Sequence, residues 1–261
     1  MASRHGWRAR CISRPCPERC FCSATALRAQ TGVNYKKRDV DAVACAPASV
    51  GSVACWFVGS AQQGSTTAVE LLWNLATQSG TWSDWSQILR TALGKNKDLD
   101  AITCTAANRC WAVGSRHWGR AVEVSWNGSG WTRMPLLRNT LDVEHVACAT
   151  ALACWATGSW SGGGSPTLLA WNGSAWGNAT ATLPPSITGG NHRDLEGLAC
   201  GRPDDCWIVG SYQARVLTLL HWDGAVWTDW SGLFPGAPDL EGLALVGPQR
   251  SPRSAWREVY P

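Results

Sequence analysis

The sequence predicts an all-β protein, a β-propeller of four-stranded antiparallel blades, with four recognisable blades plus partial end units. Three observations carry this. A motif starts over five times, each copy keeps the same landmarks in the same order, and hairpin-turn residues recur at one fixed place in the copies. Self-similarity at a period of roughly 50 residues marks an array of one supersecondary unit.

Each unit opens on an acidic stretch. Asp39-Val40-Asp41 leads to Cys45, Asp98-Leu99-Asp100 to Cys104, Asp142-Val143-Glu144 to Cys148, and Asp194-Leu195-Glu196 to Cys200. A fifth start, Asp239-Leu240-Glu241, reaches Leu245 where the cysteine should stand. The starts lie 59, 44, 52 and 45 residues apart. This stretch is strand a. Strand b begins at a second cysteine followed by Trp and a Val-Gly-Ser-like run: Cys55-Trp56, Cys110-Trp111, Cys154-Trp155 and Cys206-Trp207. Strand c is an apolar run into Trp-Asn/Asp-Gly, ending at Trp126, Trp171 and Trp222, and strand d leaves the turn through Trp131, Trp176 and Trp227. The first unit stretches this turn from Trp73 to Trp82.

The runs are short and rich in Val, Ile, Leu, Thr and Trp, as strands are. Asn-Gly and Asp-Gly predict type I′ turns, which need positive φ at both central residues. None of the repeated runs has the length or period of an amphipathic helix. Twelve of the 18 Trp fall on the three repeat positions, so they are read as the packing between blade sheets.

The predicted organisation is a basic, Cys-rich segment over residues 1–38, blades over 39–97, 98–141, 142–193 and 194–238, and a partial blade over 239–261. In the first segment Ile12-Ser13-Arg14 and Cys20-Phe21 copy the spacing of Ile102-Thr103-Cys104 and Cys110-Trp111, which reads as a degraded half-blade. Both ends are rich in Arg, Pro and Ala, the composition expected of a fragment or a frameshifted copy of a longer exported propeller; genuine caps are the alternative. No run of about 7–15 apolar residues follows the basic start, so no secretory signal is read. No stretch reaches the ~18 apolar residues of a membrane helix.

The net charge of +4 hides an asymmetry. Residues 1–38 carry nine Lys and Arg against one acid, and residues 39–245 carry 11 basic groups against 17 acidic ones. The acidic body disfavours nucleic acid as a partner.

Eight cysteines pair one per blade: Cys45–Cys55, Cys104–Cys110, Cys148–Cys154 and Cys200–Cys206. Each pair flanks the a–b hairpin turn, where strands lie ~5 Å apart, within reach of a disulfide. Buried free thiols are the alternative. Zinc is disfavoured, since one hairpin offers two ligands and a structural site needs about four. Paired cysteines on every blade imply an oxidising, extracytoplasmic compartment. Cys11, Cys16, Cys20 and Cys22 match no familiar metal knuckle.

The run of first Cys, five residues, Cys-Trp-Ala-Val-Gly-Ser, apolar strand and Trp-Asn-Gly-Ser-x-Trp resembles the Cys-rich propeller repeats of exported bacterial proteins. More distantly it resembles Asp-box (BNR) propellers, whose turn is one residue longer, and the photosystem II assembly-factor-like family. The resemblance covers roughly residues 39–245 and implies the fold rather than a function.

Binding is expected on the b–c loops, which differ from unit to unit on a repeating frame. Arg116, His117, Trp118 and Arg120 form the richest cluster, joined by Trp160, Tyr212 and Arg215. The Asp opening each unit (Asp39, Asp98, Asp142, Asp194, Asp239) is read as a cap on turn backbone. A Ca²⁺ ion held by a ring of Asp98, Asp142, Asp194 and Asp239 is the alternative, and no other cofactor is expected. No hydrolase, metalloprotease or phosphate-loop motif occurs. The expected function is a non-catalytic interaction scaffold, monomeric, for a protein or glycan. A glycan-directed, sialidase-like hydrolase or a lectin on the same loops is the alternative, and a non-functional fragment the next.

Overall fold

A computed structural model describes residues 40–61, 65–94, 97–116, 120–135, 142–159, 166–189, 193–212, 216–236, 240 and 242–245. The chain divides into residues 1–33, which lie outside the described residues, and residues 34–261, which hold every strand below. The half-blade expected near Cys11, Cys16, Cys20 and Cys22 therefore lies outside the described residues.

Sixteen strands are described, in four sheets of four. Blade 1 is β1 (Ala42–Ser49), β2 (Ser52–Ala61), β3 (Ser65–Asn74) and β4 (Ser79–Asp84). Blade 2 is β5 (Ala101–Ala106), β6 (Arg109–Arg116), β7 (Arg120–Trp126) and β8 (Trp131–Arg133). Blade 3 is β9 (His145–Thr150), β10 (Ala153–Ser159), β11 (Pro166–Trp171) and β12 (Trp176–Asn178). Blade 4 is β13 (Arg193–Arg202), β14 (Asp205–Tyr212), β15 (Val216–Trp222) and β16 (Trp227–Asp229). Every sheet keeps chain order and every neighbouring pair is antiparallel. First strands lie beside one another, β1 on β5, β5 on β9 and β9 on β13.

Alternation along each strand sends side chains to opposite faces, so each blade feeds two packing layers. Trp111 and Val113 of β6 join the layer with blade 3, while Ala112 between them joins the layer with blade 1. The Trp positions interlock in one direction. Trp56 meets Trp126 at 4.7 Å and Trp131 at 5.0 Å in the next blade, and Trp155 meets Trp222 at 5.0 Å and Trp227 at 5.2 Å. Edge and tilted contacts suit the ring quadrupoles.

Disulfides join Cys45–Cys55, Cys104–Cys110, Cys148–Cys154 and Cys200–Cys206, each between directly opposed residues of strands a and b. The strand-b cysteine of each pair is buried, so the bridge also fills the core edge.

Three expectations change. The register places Leu71, not Trp73, opposite Cys55 and Trp82, where blade 2 has Trp126 opposite Cys110 and Trp131. Blade 1 simply extends its c–d hairpin, so Trp73 pairs with Gly80 beyond the repeat position. The c–d turns are not type I′. Gly128, Gly173 and Gly224 take positive φ, but the preceding Asn127, Asn172 and Asp223 do not. Those side chains instead accept two backbone N–H groups each, as Asn127 Oδ1 does from Ser129 and Gly130. An Asx turn spans a four-residue loop that a two-residue turn does not. Finally, a helix, α1 (Ser86–Leu93), follows β4. Leu89 and Leu93 lie one turn apart, and they fill the layer between blades 1 and 2. Two turns of helix outside the repeat leave too short a periodic signal to read. A shorter helix, α2 (Pro185–Thr188), buries Ile187 against blade 4. No helix among the described residues is long and apolar enough to cross a membrane.

Candidate functional site

A groove of about 900 Å³ opens between blades 2 and 3, at the strand ends that carry the a–b and c–d turns. One wall is the β5–β6 hairpin. Its bulge between Cys104 and Ala106 leaves Thr105 out of the pairing ladder, and Thr105 Oγ1 is buried with no hydrogen-bond partner. The other wall is the β9–β10 hairpin, tied to the first where Cys148 N–H donates to Thr103 Oγ1 at 3.3 Å. Indoles frame the groove. Trp126 Nε1 donates to Ala107 O at 3.1 Å and Trp171 Nε1 to Ala151 O at 3.2 Å, so each strand-c Trp pins its own a–b turn. Asn108 and Arg109 stand exposed at its edge.

Arg109 is the only charged residue among the described residues that line the groove. It has no ion-pair or hydrogen-bond partner among the described residues. The position just before the second cysteine is Ala54 in blade 1, Ala153 in blade 3 and Asp205 in blade 4. In blade 4 the carboxylate completes its own corner: Asp205 Oδ1 accepts from Trp207 Nε1 at 2.8 Å and bonds His221 Nε2 at 3.1 Å. In blade 2 the equivalent Trp111 lines the groove beside Arg109, and its Nε1 has no acceptor among the described residues.

The opposite strand ends gather acid. Leu99, Val143 and Leu195 are buried, and carboxylates flank each of them. Burial pushes Asp100 up to about 7, helped by the charges of Asp142, Asp41, Asp98 and Glu144. Burial likewise pushes Glu144 up to about 7, helped by Asp142, Asp194 and Glu196. Asp142 is raised by burial and accepts from Ser115 of blade 2, a contact between blades that uses the Ser of the Val-Gly-Ser run. Burial alone lowers His145 to about 4. Among the described residues no three His, Cys, Asp or Glu side chains group to hold a metal ion. Asp98, Asp142 and Asp194 sit at this end, and Asp239 lies outside the described residues, as does Asp39.

The b–c loop residues are less fully placed. Arg116 and Arg120 pair across the end of the β6–β7 hairpin, and Tyr212 pairs with Arg193 and Val216. His117, Trp118, Trp160 and Arg215 lie outside the described residues.

Sequence reasoning missed Glu123. It is fully buried in β7, opposite Val113, where the other blades carry Ala68, Leu168 and Leu219. Trp176 Nε1 of blade 3 donates to one of its oxygens, and the other has no partner. Burial raises its pKa to about 8, against the hydrogen bond from Trp176. A single acid inside a strand that alternates like its neighbours gives no sequence signal. The folded state therefore holds a proton that the unfolded chain releases above 4.5, and stability is full below that value and falls as pH rises to about 8. Asp100 and Glu144 add the same sign up to about 7, and His145 the opposite sign between about 4 and 6.5. Between pH 7 and 8 Glu123 supplies the largest part of the slope, while Asp100 and Glu144 release their remaining protons. Thermal melts should show a lower Tm at pH 8 than at pH 7, by about 2–4 °C for each kcal/mol lost. Glu123→Leu should make that interval clearly shallower, at a cost within ~1 kcal/mol at pH 7, because Trp131 and Trp227 already bury an indole N–H without an acceptor. An unchanged slope in this variant would refute the assignment.

No family model matches the chain, and no curated protein matches it. Solved structures do. A mutant of the Aleuria aurantia lectin in complex with alpha-methyl-L-fucoside is similar at TM-score 0.50 and 13% identity, over 74% of this chain and 62% of that one. The crystal structure of the same organism's lectin, described as a six-bladed β-propeller, is similar at TM-score 0.49 and 13% identity, with the same coverage. The GH74 xyloglucanase from Xanthomonas campestris is similar at 0.45 and 12% identity, over 73% of this chain and 38% of that one. The chain thus spans 62% of the lectin's length. At such identity the likeness speaks for the fold, which is a β-propeller.

Proposed function

We propose that the protein is a non-catalytic, glycan-binding propeller that works outside the cytoplasm. The groove between blades 2 and 3 supports this reading. Indole edges, a half-buried serine and an exposed amide suit a sugar's alternating apolar and hydroxyl faces. Among the described residues that line the groove none is a carboxylate, whereas a glycosidase needs an acid pair. Four disulfides among the described residues fit an oxidising compartment. The likeness in fold to a fucoside-binding lectin makes glycans the first ligands to test. The b–c loops, with Arg116, His117, Trp118, Arg120, Trp160, Tyr212 and Arg215, are proposed as a second contact surface at the opposite strand ends.

A glycan array probed with the full chain tests this. We expect selective retention of some glycans and no turnover of aryl glycosides. Ser125→Tyr places a ring in the groove from a half-buried strand position, and it should weaken the best binder about tenfold or more, with Tm held within ~2 °C. Failure to retain any glycan refutes the reading. Retention untouched by Ser125→Tyr moves the site away from this groove.

A further inference from the structure

We propose that the groove between blades 2 and 3 selects an anionic sugar, whose oxyanion (carboxylate or sulfate) is bound by Arg109 together with Trp111 Nε1. This rests on the glycan reading above and names the class of glycan.

The argument is one of unmatched donors. Arg109 brings a permanently charged guanidinium with five N–H groups and no acceptor. Trp111 brings an indole N–H, donor only. Both line one groove and neither has an acceptor among the described residues. The same corner in blade 4 shows what satisfies it: there Asp205 supplies a carboxylate, and the indole of Trp207 donates to it at 2.8 Å. Blade 2 replaces that acid with a base, so the corner lacks the acceptor that blade 4 carries within itself. With no acid among the described lining residues to neutralise Arg109, a ligand oxyanion is the complementary charge. Blades 1 and 3 carry Ala54 and Ala153 at this position, so blade 2 alone combines a cation with an open indole donor. The rest of the lining is uncharged and serves the sugar ring rather than the charge.

The test is an array of matched pairs: chains ending in uronic acid, sialic acid or a sulfate ester, each beside the same chain without the anionic group. The unaltered chain is compared with Arg109→Ala and Arg109→Asp. Arg109→Asp reproduces the blade 4 arrangement, giving Trp111 an acceptor within the chain. We expect at least one anionic member to be preferred about tenfold or more over its neutral partner. The preference should vanish in both variants, with Tm unchanged, and should weaken as NaCl rises from about 50 to 500 mM. Which arm is preferred separates carboxylate from sulfate. Equal binding of neutral partners, or a preference that survives both variants, overturns the anion proposal and leaves the glycan reading standing. Retention of no glycan at all overturns both.

Discussion

Trp56→Ala is expected to destabilise the protein by roughly 3–5 kcal/mol, the cost of emptying a large aromatic side chain from a packed core. Trp56 is 0% exposed and contacts Trp85, Trp126 and Trp131, with ring centroids between 4.7 and 6.2 Å. Trp126 and Trp131 stand on strands of the next blade and Trp85 at the start of helix α1, so the packed frame cannot close over the void. Trp73→Ala provides the contrast. Its ring lies beyond the repeat position on the extended hairpin and is only partly buried, so the loss should stay near ~1 kcal/mol. Urea titration of both variants measures the difference. Equal losses would mean that Trp73, not Leu71, occupies the repeat position, and the register of blade 1 would be wrong.

Gly158→Ala is expected to cost ~3 kcal/mol or more, a drop in Tm of about 6–12 °C. A Cβ at 158 would lie 2.3 Å from the carbonyl oxygen of Asp142 and 2.9 Å from Val143 Cα. Those are backbone atoms entering strand a, so no rotamer change relieves the overlap. The same conflict recurs in blades 2 and 4: a Cβ at Gly114 meets Asp98 O at 2.2 Å, and one at Gly210 meets Asp194 O at 2.0 Å. Gly130→Ala is the control, since nothing lies within 4 Å of its added Cβ and its φ is unrestrictive. It should stay within ~0.5 kcal/mol. A Gly158→Ala protein that melts with the wild type would refute the close approach of strand a.

That glycine shows how far the sequence could be read. Its recurrence in every Val-Gly-Ser run was visible, but the reason was not, because the clash is with a segment about 16 residues upstream in the chain. The propeller fold and the packing role of the strand-b Trp residues were legible, since both follow from period and landmark order. Helix α1 was not legible, as it lies outside the repeat. Nor was the groove. Variation on a repeating frame points to the b–c loops, whereas the groove is built from turns that recur in every blade. Only the substitution of Arg109 for Ala54, Ala153 or Asp205 sets it apart, and its meaning depends on Trp111 facing the same space. Glu123 was hidden for a similar reason: its environment comes from Trp176, 53 residues on.

The cystine bridges all close within a blade, across 10 residues in the first and six in the others. None among the described residues joins one blade to another. A gene that gains or loses one unit therefore carries its bridge with it, and no cysteine elsewhere is left unpaired. Local wiring of this kind lets recombination change the number of blades without a compensating mutation. It also frees each blade to alter its turns, as blade 2 has with Arg109 and blade 4 with Asp205, so that a single frame carries chemically different corners side by side.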